Sequence, residues 1–280
     1  MKIKILGSGG GEGFPATFCT CEHCEEARKV KGKSLRSLSQ TLIGDDLLID
    51  FPFTTDTNVL KYGLNLGKIQ NFLITHAHSD HYVPISISLR GGCFAHNLAY
   101  EKAYFFGPKN LEEIYDAVVA PYGNPSEIRK NIGFVVMENQ TTYKVGRYEV
   151  TALTAIHAPH LGSLNYIIDD GEKSLLYLLD SGYPTKETLD FLKGRNKPFD
   201  CVIMDGTMGV APPKSYIYHM GFEENKSLKK EFLDLGIADG NTRFIVTHIT
   251  HNQAETHEKI EEIFKGTGID VAYDGFEVTV

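Results

Sequence analysis

One short segment, residues 75–81, concentrates side chains that could bind metal ions. It reads Thr-His-Ala-His-Ser-Asp-His, so its potential ligands are His76, His78, Asp80 and His81. Imidazole and carboxylate groups suit zinc, manganese or iron, and a bound cation offsets the cost of holding these polar groups together. A hydrated polar loop that happens to be rich in His explains this density less well. The spacing, two His at i and i+2 and an adjacent Asp-His pair, therefore predicts ligands for two neighbouring ions.

Further candidate ligands follow other apolar runs of the chain. His157, Asp180 and His248 come directly after the strand-like segments 150–156, 175–179 and 244–247. A lone His at a strand end is usually a hydrogen-bonded surface residue and a lone Asp a turn former, but their joint occurrence with the first cluster predicts one shared site. The phase of the strand favours His157 as the ligand, and His160 is the alternative.

A second cluster consists of cysteines near the amino terminus. Three of the five Cys, namely Cys19, Cys21 and Cys24, lie within six residues, which in a cytosolic chain indicates metal binding rather than disulfides. His23, inside the cluster, could be a fourth ligand. Cys93 and Cys201 stand in apolar surroundings and are predicted to be buried core residues.

The hydrophobic pattern predicts an α/β (α+β) fold in which strands position these side chains. Strands are expected at 2–6, 41–43, 47–50, 72–75, 103–106, 134–136, 148–155, 164–168, 174–179, 201–204, 243–247 and 271–273. Helices are expected at 21–31, 110–120, 186–193, 227–235 and 253–264. Two sheets packed on each other, with helices outside, would bury this many strands. No repeat or linker divides the chain, so residues 1–280 are expected to form a single domain.

Composition narrows the function classes. The chain has 280 residues, 42% of them hydrophobic, and a net charge of -8 without a block rich in Lys and Arg. It therefore gives no basis for nonspecific binding to nucleic acid or an anionic membrane, and a small substrate is favoured. The amino terminus lacks the apolar core of a signal peptide and no segment resembles a membrane span. A cytoplasmic protein is expected, and a homodimer is compatible with the sequence.

The glycine-rich segment 7–13 invites comparison with nucleotide-binding loops. No frame gives G-x-G-x-x-G and no Walker lysine follows. The glycines are instead predicted to allow a tight turn and a close approach of the backbone to the site.

The His motif resembles the metallo-β-lactamase superfamily. Residues 75–81, followed in order by His157, Asp180 and His248, match its T-H-x-H-x-D-H pattern and later ligands. The resemblance implies a four-layer αββα sandwich with two metal ions between its sheets. It further implies that His76, His78 and His157 hold one ion, that Asp80, His81 and His248 hold the other, and that Asp180 bridges them.

A narrower resemblance extends nearly from end to end of the chain. Segments 6–10, 19–24, 247–251 and 273–277 are similar to the phosphoribosyl 1,2-cyclic phosphate phosphodiesterase family of phosphonate breakdown. That family implies a structural zinc held by Cys19, Cys21, Cys24 and His251, with His23 as a competitor for the last position. It also implies that His219 assists the leaving group.

These resemblances imply a binuclear metal-dependent phosphodiesterase that opens a small cyclic phosphate. Two divalent ions, zinc or manganese, would generate hydroxide at neutral pH and stabilise the phosphoryl group and the leaving alkoxide, while His219 protonates that alkoxide. His219 and Asp80 are the candidate catalytic residues, and Asp50 and Asp205 could orient ligand imidazoles. A thioesterase, a lactonase or a tRNA-processing-like nuclease on the same scaffold is the alternative. A zinc-stapled binding protein without activity would be expected to lack ligands.

Two segments depart from the family pattern. After Leu48-Ile49-Asp50 the family has a small turn, whereas this chain continues with Phe51-Pro52-Phe53-Thr54-Thr55-Asp56. Residues 157–163 also form a longer loop than the matching family segment. Both departures border the expected site, so they bear on the identity of the substrate.

Overall fold

Two seven-stranded sheets form the centre of the fold in the computed structural model, which describes residues 1–122 and 126–280. The strands of the first sheet are Lys2–Gly7 (β1), Gln40–Ile43 (β2), Leu47–Ile49 (β3), Asn71–Leu73 (β4), Ala103–Gly107 (β5), Ile132–Val136 (β6) and Glu277–Thr279 (β14). Their order is β14-β1-β2-β3-β4-β5-β6. Pairing is antiparallel from β14 to β3 and parallel from β3 to β6.

The second sheet contains the later strands. They are Thr141–Val145 (β7), Tyr148–Thr154 (β8), Leu164–Asp169 (β9), Ser174–Leu178 (β10), Cys201–Asp205 (β11), Arg243–Thr247 (β12) and Ile269–Val271 (β13). They pair in the order β13-β12-β11-β10-β9-β8-β7. Because β10 to β13 run parallel, their carboxyl ends lie along one edge of the sheet.

Helices complete two outer layers. They are Glu22–Val30 (α1), Thr55–Tyr62 (α2), Pro84–Ile87 (α3), Leu111–Val119 (α4), Ser126–Arg129 (α5), Lys186–Gly194 (α6), Phe222–Asp234 (α7) and His257–Phe264 (α8). Apolar residues of α3, α4 and α5 pack with the outer face of the first sheet. Apolar residues of α1, α6, α7 and α8 pack with the outer face of the second.

The two sheets share a buried core between them. Alternate residues of each strand point to opposite faces, so Leu175 and Tyr177 of β10 face this central core while Leu176 and Leu178 face the helices. Ile43 of β2 enters the same core from the other sheet. The arrangement confirms the predicted αββα sandwich, in which hydrophobic burial on both faces of each sheet is the main stabilising contribution.

All twelve predicted strands are present, and the remaining differences have local causes. The sequence analysis missed β7 and β14, which are short edge strands with exposed residues, and placed β13 two residues too late. It also missed α2, whose segment looked like a loop. Helix α7 begins at Phe222 rather than at 227, because Glu224 Oε2 accepts a hydrogen bond from the Gly221 backbone N–H at 2.9 Å without a Ser or Thr cap.

Helix α8 is shorter than predicted. It begins at His257 rather than at residue 253. The Gln253 carbonyl instead accepts a hydrogen bond from Val210 N at 2.9 Å, so this stretch of chain joins two loops and cannot continue as helix.

The two isolated cysteines differ in their surroundings. Cys201 is buried in the central core, as predicted. The prediction for Cys93 is wrong, since its side chain is exposed. Gly91 and Gly92 precede it with positive φ values of 153° and 58°, so the chain turns at the surface and the apolar neighbours do not enter the core.

Within the described residues, no helix combines the length and apolar character needed to cross a bilayer.

Candidate metal centre

Polar residues gather where strands of both sheets end. Asp50 follows β3, the 75–81 segment follows β4, His157 follows β8, Asp180 follows β10, and His248 follows β12. Because β3 and β4 are parallel, as are β10, β11 and β12, their carboxyl ends share an edge. Open sheets commonly place functional residues at such an edge.

The first group of ligand atoms belongs to three imidazoles. His78 Nδ1 lies 2.9 Å from His76 Nε2 and 3.2 Å from His157 Nε2. All three offer one nitrogen within 4.8 Å of the others. His160 is exposed, and its ring centroid lies 6.5 Å from that of His78. The geometry therefore favours His157 over His160 as the third member of the group.

The second group contains two carboxylates and two imidazoles. His81 Nε2 lies 3.0 Å from Asp80 Oδ2 and 2.6 Å from Asp180 Oδ2, and His248 Nε2 lies 3.1 Å from the same Asp180 oxygen. One atom from each of the four residues lies within 4.8 Å of the rest. The Asp180 carboxylate is thus the centre of this group.

Several atoms of these groups are buried without a hydrogen bond of ordinary geometry to the described residues. They are His81 Nε2, Asp180 Oδ2 and His248 Nε2, together with His157 Nδ1. Buried polar atoms are normally satisfied, so such atoms call for a ligand. Imidazole nitrogens and a carboxylate oxygen that converge on a small region are a donor set for divalent transition metals. The residues therefore fit the two ions expected from the sequence.

Hydrogen bonds behind the candidate ligands fix the imidazole orientations. His81 Nδ1 donates to Asp50 Oδ2 at 2.7 Å, which leaves its Nε2 to face the second group. Asp50 is held in turn by the backbone N–H and the hydroxyl of Thr75 at 2.8 and 3.0 Å. His248 Nδ1 lies 2.7 Å from Thr207 Oγ1. Such contacts select the tautomer and hold the ring in place for ligation.

The protein groups of the two clusters differ in protonation. Burial lowers the pKa of His157 to about 4 and that of His76 well below the usual value, so both imidazoles are neutral. Burial also acts against the charge on His248, but the Asp180 carboxylate raises its pKa to about 9. Asp180 itself has a pKa well below the usual value, because His248 and His81 outweigh its burial. Metal ligation requires a neutral imidazole, so an ion at the second cluster would take the place of the protons on His81 and His248, while the first cluster already offers neutral nitrogen ligands.

The conformation of three site residues is unusual. Asp50, Asp180 and His248 have positive φ values of 66°, 45° and 62°, in the left-handed region that non-glycine residues rarely adopt. Each is the first or second residue after a strand, so the backbone turns sharply there. Such strain is found at functional sites, where the surroundings hold the residue in place.

His219 lies beside both groups, in the loop between β11 and α7. Its Nδ1 donates to Asp205 Oδ2 at 2.9 Å and lies 3.6 Å from Asp180 Oδ1. Its ring stacks against those of Tyr216 and His248, at centroid distances of 5.8 and 6.0 Å. Burial lowers the pKa of His219, but the Asp205 carboxylate more than compensates, so the net shift is upward.

The structure also shows which imidazole each predicted orienting carboxylate, Asp50 and Asp205, contacts. Asp50 contacts His81, a residue of the second group. Asp205 is 2.9 Å from His219 Nδ1 but 3.9 Å from His248 Nδ1, so its partner is His219. The sequence analysis missed Thr207 and Tyr216, because a single Thr or Tyr in a loop carries no spacing signal.

Glycines bring the amino-terminal loop close to the second group. A Cβ on Gly11 would lie 3.2 Å from Asp80 Oδ2, and a Cβ on Gly10 would lie 3.3 Å from His248 Cε1 and 2.5 Å from Thr250 Cγ2. Gly13 has a φ of 72°. These contacts confirm that the glycine-rich segment serves a turn and a close approach of the backbone to the site.

A third group of candidate ligands brings residues 19–24 together with residue 251. Cys19, Cys21, Cys24 and His251 offer ligand atoms within 4.8 Å of one another. His251 Nδ1 lies 3.4 Å from Cys21 Sγ, and this contact is the main reason why the pKa of Cys21 falls to about 6. His23 is directed to Glu255 at 3.7 Å. Three thiols and an imidazole are a donor set for a closed tetrahedral zinc site, and the geometry favours His251 as its fourth member.

Comparison with known proteins assigns the chain to a family. The family described as Beta-lactamase superfamily domain matches residues 57–249, and the chain belongs to it. Comparison with curated proteins gives no match.

Three solved structures resemble the chain over essentially its full length. A diphosphatase from the PhnP family has 17% sequence identity and a TM-score of 0.74, with 100% of this chain and 97% of that chain covered. Zinc-bound PqqB from Methylobacterium extorquens has 18% identity and a TM-score of 0.73, with 100% of both chains covered. Human tRNase Z, short form, has 16% identity and a TM-score of 0.68, with 100% and 99% covered. At these identities the likeness concerns the fold.

Proposed function

We propose that the protein is a binuclear metal-dependent phosphodiesterase that acts on a small cyclic phosphate, such as a phosphoribosyl 1,2-cyclic phosphate or a nucleotide-like diester. The observation that carries the proposal is the arrangement of seven ligand side chains in two adjacent groups with His219 beside them. Membership of the superfamily supports metal-dependent hydrolysis, and the donor set fits divalent zinc or manganese.

The proposed site divides into ligands and a proton donor. His76, His78 and His157 would hold one ion, Asp80, His81 and His248 the other, and Asp180 would lie between them. Two such ions supply Lewis-acid stabilisation of the phosphoryl group and an activated water at neutral pH. Asp80 contributes to catalysis as a ligand, while Asp50 and Thr207 fix the orientation of the His81 and His248 rings.

His219 is the proposed general acid. Its Nδ1–H is directed to Asp205, so its other nitrogen, Nε2, remains to carry a proton to the leaving oxygen. The upward shift of its pKa favours the protonated form near neutral pH, as a general acid requires. Tyr216 and His248 both stack against its ring and limit its orientation.

The Cys19, Cys21, Cys24 and His251 group is proposed to hold one structural zinc. Cys24 is buried, and burial raises the pKa of its thiol to about 12, so a cation is needed to favour its thiolate form. The proposal also includes a cytoplasmic protein with a small phosphorylated substrate rather than nucleic acid, and it is compatible with a homodimer.

A metal analysis combined with a hydrolysis screen tests the proposal. Purified protein should contain three divalent ions per chain and should hydrolyse five-membered cyclic phosphates in preference to diphosphates, linear diesters, thioesters and lactones. Chelation should abolish the activity, and zinc or manganese should restore it. Preferential cleavage of a thioester or lactone would overturn the phosphodiesterase assignment, and metal-independent activity would overturn the role of the ions.

A further inference from the structure

Glu12 is the one charged residue of the glycine-rich segment, and neither the turn nor the close approach of the backbone to the site requires a charge there. The segment is hydrogen-bonded to the residues after β12. Ile249 N donates to the Ser8 carbonyl at 3.0 Å, and Gly10 N donates to the Ile249 carbonyl at 3.1 Å. These backbone hydrogen bonds bring the Glu12 side chain to the turn that contains His251, so a carboxylate lies beside a candidate zinc ligand.

The Glu12 carboxylate has two partners on that turn. Its Oε1 lies 3.3 Å from His251 Nε2 and accepts a hydrogen bond from Asn252 Nδ2 at 3.0 Å. The other nitrogen of the same imidazole has a different neighbour, since His251 Nδ1 lies 3.4 Å from Cys21 Sγ. The His251 ring therefore has the cysteine group on one side and a carboxylate on the other.

This arrangement matches the requirements of a histidine that binds a metal. Such a histidine ligates through one nitrogen and carries its proton on the other. A hydrogen bond from that N–H to a carboxylate fixes the tautomer, orients the ring and makes the ligating nitrogen more basic. With Nε2–H directed to Glu12, Nδ1 keeps its electron pair and faces Cys21. The contact thus prepares His251 to bind an ion together with the thiolates.

His23, the competing histidine, has a carboxylate neighbour of its own. Its Nδ1 lies 3.7 Å from Glu255 Oε2, but the histidine whose nitrogen lies within 4.8 Å of the three thiols is His251. The side chains of Glu12 and Glu255 are almost equally exposed, at 33% and 34%. The two carboxylates therefore differ in which imidazole they contact, and each serves as a control for the other.

We infer that Glu12 is the carboxylate that positions His251 as a zinc ligand. This inference rests on the proposed structural zinc and adds to its four ligands a residue that does not touch the ion. Glu12→Gln isolates the effect of the charge, because the glutamine oxygen can still accept from Asn252 Nδ2 and from His251 Nε2–H. The contact between the two loops is thereby kept while the carboxylate is removed.

Cobalt(II) titration measures the cysteine group separately from the two ions of the proposed metal centre. Cobalt bound to thiolates has an intense charge-transfer absorption that cobalt bound only to imidazoles and carboxylates lacks. Displacement of cobalt by buffered zinc then gives the affinity for zinc at this group. Glu12→Gln should lower that affinity about 10- to 100-fold. Glu255→Gln, the matched control, should leave it unchanged.

A double-mutant cycle tests whether Glu12 acts through the His251 ring. His251→Ala leaves three thiolates, so the cobalt absorption persists, but Glu12 then has no ring to position. Adding Glu12→Gln to His251→Ala should cause no further loss of zinc affinity, and circular dichroism checks that each variant is folded. An equal loss in both backgrounds would show that the carboxylate acts by its charge alone and would overturn the positioning role.

The remaining outcomes separate Glu12 from the zinc site itself. An unchanged zinc affinity in Glu12→Gln, with the thiolate–cobalt absorption intact, would overturn the role of Glu12 and leave the structural zinc standing. A loss in Glu255→Gln but not in Glu12→Gln would overturn it in favour of His23 as the fourth ligand. Absence of the thiolate–cobalt absorption in the parent would overturn the structural zinc and the role of Glu12 with it.

Discussion

At the scale of single residues, Asp50 shows how one buried carboxylate serves the proposed site without facing it. It accepts hydrogen bonds from Thr75 and from His81 Nδ1, and it is fully buried. Its positive φ is tolerated because these contacts hold it in place. The position of His81 Nε2 therefore depends on a residue that lies 31 positions earlier in the chain.

Replacing this carboxylate should weaken metal binding at one ion. Asp50→Asn keeps the size of the side chain but removes the charge that orients and polarises the His81 ring. We expect the affinity for the ion that His81 would hold to fall about 10- to 100-fold, as measured by competition with a metal chelator. Asp45→Asn, at an exposed neighbouring position, is the control. Unchanged affinities for both ions would contradict the orienting role.

Replacing His219 should reduce turnover while the ions stay bound. His219→Ala removes the proposed proton donor, so kcat should fall roughly 10²–10⁴-fold on a diester with a poor leaving group. The loss should be much smaller with an activated aryl leaving group, whose oxyanion needs no proton. Metal content measured in parallel serves as the control for site integrity.

The two leaving groups also separate alternative roles of His219. An equal loss on both substrates would mean that the ring positions the phosphate or the ligands. No loss on either would mean that the acid is another group. Tyr216→Phe preserves the stacked ring and should leave both rates close to those of the parent.

At the scale of elements, the cysteine group connects the loop before α1 to the loop before α8. Cys21 Sγ and His251 Nδ1 are separated by 230 positions in sequence but by 3.4 Å in space. His251 Nε2 also lies 3.3 Å from Glu12 Oε1, in the glycine-rich loop that approaches Asp80. A zinc ion here would therefore hold the loop that borders the proposed metal centre.

Cys21→Ser should lower the melting temperature and remove one zinc ion per chain. Closed zinc sites contribute directly to the free energy of folding, and the other two ions should remain because their ligands are separate. Cys93→Ser, at an exposed cysteine outside the group, is the matched control. Equal melting temperatures for Cys21→Ser and the parent would show that the group is not a structural metal site.

The elements that sequence could predict are those with a strong hydrophobic period. Strands such as β10, buried on both faces, appear as continuous apolar runs and were predicted nearly to the residue. Strand β7 was missed because its residues are mostly exposed, and its pairing with β8 is a long-range property. Helix α2 was missed because its buried residues, Thr55 and Asn58, are polar, so the segment shows no apolar stripe of helical period.

The site, too, has features that the sequence predicts and features that depend on long-range contacts. The seven proposed ligands could be named from sequence, because each stands at the end of an apolar run and matches a spaced motif. Their division into two groups was implied by the family resemblance, whereas the partnership of Asp205 with His219 depends on the path of the loop after β11. Thr207 lies in an irregular loop, where no periodic pattern reveals which residues will meet.

At the scale of the whole molecule, the buried pair of Arg36 and His257 joins the segment before β2 to α8. The Arg36 guanidinium donates to His257 Nδ1 at 3.1 Å, which fixes Nδ1 as the unprotonated nitrogen because arginine cannot accept. His257 Nε2 lies 3.0 Å from Glu261 Oε1. Burial lowers the pKa of His257 to about 4, and Arg36 adds to the shift although Glu261 opposes it.

This neutral histidine should make stability depend on pH. Its pKa is about 4 when folded and about 6.5 when unfolded. Between these values the unfolded chain binds more protons, so the free energy of unfolding decreases as the pH falls. One such group gives a slope of up to about 1.4 kcal/mol per pH unit.

His257→Gln should remove the part of the pH dependence of stability that comes from His257. Its glutamine oxygen can still accept from Arg36 but does not titrate, so stability should fall less between pH 6.5 and pH 4 than in the parent, as measured by denaturant unfolding. Titration of the metal ligands is common to both proteins and cancels in the difference. His96→Gln, at an exposed position, is the control. Identical pH profiles for His257→Gln and the parent would contradict the assignment.

The pairing of β1 with β14 has a consequence for the order in which the protein can assemble during synthesis. Strand β1 leaves the ribosome well before its partner, which comes from residues 277–279, and the fourth member of the cysteine group is residue 251. The second sheet can form while the first still lacks its edge strand. During that interval an unpaired strand edge and reactive thiols are exposed together, so nascent chains should depend on chaperones and on a zinc supply until residues 251 and 277–279 have been synthesised.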